Sequence, residues 1–114
     1  MRVPDQPWMV KVKQELVHAQ EARSAGNEGR ARVCARRAAN LILGEYLRRT
    51  GRRTYQNVME QLSSLGDLAG LPDRAAAIIP HISQRVDQEH QLPAGIDLIE
   101  DAIHLIDALS LNQS

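Results

Sequence analysis

The 114-residue chain has no phenylalanine, one tryptophan and two tyrosines. Its apolar set is therefore alanine, leucine, isoleucine and valine, side chains that suit close-packed helices. A single cysteine, Cys34, excludes an intramolecular disulfide and a thiolate metal cluster, and fits a reducing cytoplasm. Long apolar runs are missing too. The opening MRVPDQPWMVKVKQ holds no stretch of signal-peptide length, and no segment is apolar enough to span a membrane, so neither export nor a membrane role is expected. The chain has no repeat with a period of tens of residues, which argues against a solenoid. It also has no glycine-rich phosphate loop, no serine-centred elbow and no zinc-binding histidine pair, which sets aside the enzyme classes built on them. No cofactor is expected.

What is present is an ordinary globular composition, 43% hydrophobic and 25% charged. A chain of this length forms one domain over residues 1–114 and buries roughly two-thirds of its unfolded surface. Its formal net charge of zero hides an asymmetry. Residues 1–53 carry twelve Lys/Arg and five Asp/Glu, a balance of +7, and residues 54–114 carry two and nine, a balance of −7. Between Arg30 and Arg53 there are eight basic residues and one acid, Glu45. Three arrangements give such a pattern: a basic surface for nucleic acid, an acidic helix beside a basic one, or head-to-tail pairing of subunits. In the nucleic-acid reading, Arg48, Arg49, Arg52 and Arg53 are the binding residues.

Apolar spacing predicts an all-α bundle of four to five main helices running up and down. Trp8, Val12, Leu16, Ala19 and Ala22 share one face of a first helix that ends near Ser24. Gly26 and Asn27 close it, and Asn27 caps the second. There Ala31, Cys34, Ala35, Ala38, Leu41, Ile42 and Tyr46 form the apolar stripe. Arg30, Arg37 and Arg48 edge that stripe on one side, Arg32 and Arg36 on the other, with stems over apolar surface and heads in water. Leu43 and Leu47 fall off it, as expected of a central helix or a homodimer surface. Gly51 should break this helix. Tyr55, Val58, Met59, Leu62 and Leu65 suggest a short third helix. Pro72 opens the next at a first-turn position; Ala75, Ile78, Ile79, Ile82 and Val86 continue it across Pro80, which should kink or divide it. After Gln91–Gly95, the last helix turns Leu98, Ile99, Ala102, Ile103, Leu105, Ile106 and Leu109 inward. Asp97, Glu100, Asp101, His104 and Asp107 form the opposite polar stripe.

Few groupings carry chemistry. Glu100, Asp101 and His104 have the spacing by which helical bundles hold metals, but a second carboxylate-bearing helix is needed and none matches; the stripe reads as a solvated face, or one that meets the arginines of the second helix. No metal site is assigned. Cys34 lies among arginines that favour a thiolate, yet sits in the apolar stripe and reads as a small core residue. Two arginines precede histidines: RVDQEH from Arg85 to His90 and RAAAIIPH from Arg74 to His81. An arginine can stabilise the charge developing on a phosphodiester, and a histidine can move the proton of a ribose 2′-hydroxyl.

AQEARSAGN closing the first helix, the alanine-rich ARVCARRAANLILGEYL, the shorter central helices and the closing IDLIEDAIHLIDAL together resemble the HEPN superfamily of small helical bundles. The likeness covers most of the chain as a pattern rather than a signature. It implies a role directed to RNA, as a metal-independent endoribonuclease or toxin–antitoxin component, or a non-catalytic module that binds nucleic acid or partners a nucleotidyltransferase-like protein; the homodimer is expected from Leu43 and Leu47. In catalytic members an arginine, four to six residues and a histidine precede the final helix. Arg85 and His90 match in spacing and position; Arg74 and His81 match in spacing alone. The family usually has a polar residue after that arginine, where Val86 and Ala75 stand here. Under the catalytic reading, RNA incubated with the protein and a chelator should acquire cyclic-phosphate ends. Arg85→Ala and His90→Ala should each abolish this, and undiminished cleavage by His90→Ala would remove the pair from the mechanism.

Overall fold

A computed structural model describes residues 7–50, 71–83, 97–109 and 111. Among the described residues the chain is all-helical, a bundle of α1 (Pro7–Ser24), α2 (Glu28–Arg49), α3 (Asp73–Ser83) and α4 (Leu98–Ala108). The expected helix over Tyr55–Leu65 and the break at Gln91–Gly95 lie outside the described residues.

The turn between α1 and α2 follows from two residues. Gly26 has φ 81°, a left-handed conformation that costs a glycine almost nothing. Its N–H bonds the Arg23 carbonyl at 3.0 Å, and the N–H of Asn27 bonds the Ala22 carbonyl at 2.8 Å, the paired closure that satisfies a helix end. Asn27 then starts the next helix, because its side-chain oxygen accepts the Arg30 N–H at 3.1 Å. So short a turn makes α1 and α2 antiparallel, and they pack along each other. Val12, Ala19 and Ala22 of α1 are buried with Ala31, Cys34, Ala35, Ala38 and Ala39 of α2 in one core.

α2 is the central helix. Leu43 and Leu47, off the stripe that sequence spacing identifies, are both buried within the chain, as are Ala39 and Glu45. The reason is that α2 packs against α1, α4 and α3, so its buried arc is wider than one stripe. Leu43 and Leu47 are thereby accounted for without a dimer surface. Thr50 closes α2, its hydroxyl donating to the carbonyls of Tyr46 at 3.0 Å and Leu47 at 3.1 Å.

α3 and α4 run antiparallel, since Arg74 near the start of α3 meets Asp107 near the end of α4, and His81 meets Asp101. The Pro72 carbonyl accepts the first helical N–H, from Ala76 at 2.9 Å, so Pro72 stands at the cap rather than inside the first turn. α3 continues undivided through Pro80 to Ser83, beyond which the expected continuation to Val86 lies outside the described residues. Pro80 removes one N–H from the ladder, the one that would reach the Ala76 carbonyl. α4 begins at a carboxylate cap: Asp97 accepts the N–H groups of Ile99 at 3.0 Å and Glu100 at 3.3 Å. Leu98, Ile99, Ala102 and Leu105 of α4, and Leu109 at its cap, are buried as expected, but Ile106 is half-buried and Ile103 is 38% exposed. Among the described residues, no helix is long and apolar enough to cross a membrane.

Two substitutions test this frame by urea unfolding. Asn27→Ala should lower stability by about 1 kcal/mol through loss of the cap. Ala38→Leu, at a fully buried position, should cost about 1–3 kcal/mol by overpacking; tolerance of that leucine would mean the core is looser than described.

Candidate nucleic-acid interface

Where α2 is buried on most of its circumference, its arginines are forced to the edges, and each meets something different. On one edge Arg36 reaches α3, its Nε donating to the Ile82 carbonyl at 3.0 Å. It thus satisfies a carbonyl near the end of α3. Burial, reinforced by the nearby charge of Arg32, lowers Arg36 below the ordinary arginine range.

Near the end of α2, Glu45 gathers two cations. Its carboxylate, 6% exposed, accepts Arg48 Nη2 at 2.5 Å and Arg49 Nε at 2.8 Å. The Arg49 guanidinium also stands 5.6 Å from the ring centre of Trp8, tying the start of α1 to the end of α2. Two of the four cations assigned to nucleic acid are thus held by Glu45; the other two, Arg52 and Arg53, lie outside the described residues. The hydrogen bond from Arg48, opposed by burial and helped by Arg49, holds Glu45 below the usual carboxylate range.

The carboxylates of α4 meet cations of α1 and α3. Asp97, besides capping α4, accepts Arg23 Nη1 at 3.0 Å, while Arg23 Nε donates to Glu28 at 2.9 Å. Burial alone would raise Asp97, but Arg23 and the backbone N–H groups of Glu100 and Ile99 outweigh it and lower its pKa. This places Asp97 at a three-helix junction rather than in a solvated stripe. Asp101 is 16% exposed and faces His81 Nδ1 at 3.3 Å. Burial raises its pKa despite the opposing influence of His81. Arg74 and His81, the second Arg–His spacing, are therefore held apart on Asp107 and Asp101. Arg85 and His90 lie outside the described residues.

His104 Nε2 stands 3.7 Å from Glu100. Among the described residues, no group of three His, Cys, Asp or Glu side chains is arranged to hold a metal ion. Cys34 is buried at 2% exposure, the core position that its stripe implies. A shallow depression on α1, lined by Val10, Lys13, Gln14, Val17 and His18, is mainly apolar.

A narrow exposed ridge runs along α2. Arg30, Val33, Arg37 and Arg48 are all exposed and fall on one face with Gly44, Arg48 while also paired with Glu45. Along an ideal helix Arg30 and Arg37 are about 10 Å apart and Arg48 about 16 Å further. No acid of α2 other than Glu45 and the terminal Glu28 interrupts it. Sequence reasoning assigned Arg48, Arg49, Arg52 and Arg53; of the two that are described, both pair with Glu45, and the ridge adds the exposed Arg30 and Arg37. The signal was the lone acid, Glu45, three and four residues before two arginines, a helical ion-pair spacing.

No protein-family model matches this chain, and no curated protein or solved structure matches it.

Glu45 and Asp101 should leave opposite marks on pH dependence. A carboxyl whose folded pKa is lowered stabilises the fold above its unfolded value, here about 4.5, and loses that contribution as pH falls through the folded pKa. A raised carboxyl contributes most at low pH and loses it as pH rises. Glu45→Gln should therefore destabilise by roughly 1–2 kcal/mol at neutral pH, with the deficit shrinking as the pH falls below about 4.5. A deficit independent of pH, measured by denaturant unfolding, would deny the carboxylate this role.

Proposed function

We propose that this chain is a HEPN-like bundle directed to RNA, which it engages through the outer face of α2. The observation that carries this reading is the ridge of Arg30, Arg37 and Arg48, exposed on a helix whose other face is committed to the core. Arginine is suited to it, because its fork donates two parallel bonds to a phosphate. Support for binding is distinct from support for cleavage: the reading asks only for contact with phosphates, while cleavage by Arg85 and His90 stands on the resemblance and has its own assay.

The ridge has a further chemical character. Among the described residues, the two aromatic side chains, Trp8 and Tyr46, are half-buried, so neither offers an open ring for stacking bases. Phosphate contact without stacking gives weak, strongly salt-dependent binding with little preference for sequence. Gly44 lies on the same face with nothing within 4 Å of where a Cβ would stand, leaving room for close backbone approach.

Fluorescence anisotropy with short RNA tests this. Three phosphate contacts give a slope of log K against log salt of about −2 to −3. Arg30→Glu with Arg37→Glu should weaken binding at least about tenfold at about 50 mM salt while the helical circular dichroism is unchanged. Reversal of Arg48 or Arg49 is a poorer probe, because it also breaks the contacts to Glu45. Equal binding by the double variant would eliminate the ridge; absence of binding even at low salt would favour the non-catalytic module docked on an acidic protein partner, such as a nucleotidyltransferase-like one.

A further inference from the structure

Two exposed helix faces share one spacing with opposite charge. On α2 it is Arg30, Val33 and Arg37; on α4 it is Glu100, Ile103 and Asp107, each set at positions i, i+3 and i+7. All six are exposed, and the central apolar members are Val33 at 44% and Ile103 at 38%. On a right-handed helix the i+3 residue falls to one side of the line from i to i+7. Both faces therefore set their apolar residue on the same side of their charged pair. When two such faces meet, parallel docking lays the apolar residue of each against the charges of the other. Antiparallel docking alone sets apolar against apolar and charge against charge.

We propose that α4 of one copy of this chain docks antiparallel on α2 of a second copy. Arg30 then meets Asp107 of the second copy, Arg37 meets Glu100 of the second copy, and Val33 packs on Ile103 of the second copy. The opposed charges of the two faces also attract each other before contact. Within the chain, Asp107 bonds Arg74 at 3.2 Å and Glu100 lies 3.7 Å from His104. Those pairs are exposed and worth little in water, and each carboxylate, 59% exposed, can accept an arginine in addition. The contact is heterologous: each copy offers a donor face and an acceptor face, and assembly continues beyond a pair unless rotation closes a ring. With one small apolar contact at its centre, the association is weak and sensitive to salt.

The proposal shares the α2 face with the RNA reading but does not rest on it, and is tested without RNA. In sedimentation velocity the weight-average mass should rise from low to high micromolar protein at about 50 mM salt and fall back at about 0.5 M. Arg30→Glu/Arg37→Glu alone, and Glu100→Lys/Asp107→Lys alone, should each remain monomeric. An equimolar mixture of the two should associate again, because every opposed charge is then restored. A monomeric unaltered protein, association unchanged in either variant, or a mixture that stays monomeric while both variants keep their helical spectra would overturn it. The two readings separate on the α4 variant, which should lose self-association yet bind RNA at least as tightly as the unaltered chain.

Discussion

Close approach of α1 and α2 is the constraint on which the remaining structure depends. Ala19 and Ala22 on one helix and Ala31, Ala35, Ala38 and Ala39 on the other present methyl groups where larger side chains would hold the axes apart. Such a seam buries little area per residue, so α2 must find further cover. It does so over a wider arc, with Ile42, Leu43 and Leu47 buried too and α4 and α3 packed on α2 as well. Gly26 keeps the turn between α1 and α2 short, so that α2 returns along α1.

A helix so widely buried has little room for charge, and this decides the fate of its arginines. Each lies at an edge and takes whatever that edge offers, from a neighbouring helix, from α2 itself or from solvent. For Arg36 that is a carbonyl of α3, for Arg48 and Arg49 the carboxylate of Glu45, and for Arg30 and Arg37 it is water. The same rule governs α4, whose carboxylates hold Arg23, Arg74 and His81. The contacts of Arg23, Arg36, Arg74 and His81 cross between elements, even where each is worth little alone.

Local signals in the sequence were sufficient for the features that depend on neighbours along the chain. The end of α1, the left-handed Gly26, the Asn27 cap and the burial of Ala31, Cys34, Ala35, Ala38 and Ile42 in α2 follow from spacing and from glycine and asparagine chemistry, although Leu41 and Tyr46 of the same stripe are only half-buried. Tertiary relations were not legible in the same way. Asp97 reads as one more acid on a polar stripe until Arg23, far away in sequence, is seen to reach it. Ile103 fits an inward apolar pattern and yet lies partly in water, because α4 is covered by α2 and α3 over a narrower arc than its apolar residues span. Leu43 and Leu47 show the reverse case, where a wider cover buries residues that periodicity leaves outside.

Charge asymmetry has its consequence only after these internal contacts are made. A formal sum of zero would give a surface without direction if every cation met an acid inside the fold. Instead, the internal contacts engage Arg23, Arg36, Arg48, Arg49 and Arg74, and the ridge of Arg30 and Arg37 keeps its charge in water. On α4 the inner carboxylates, Asp97 and Asp101, are taken into junctions, while Glu100 and Asp107 stay on the outer face. The folded chain therefore presents charge of each sign on a different helix, each around one exposed aliphatic side chain. A phosphate backbone and a second copy of the chain make different demands on that arrangement: the first uses the cations of α2 alone, the second needs both helices. Reversing α4 separates the two uses without touching a residue of the core.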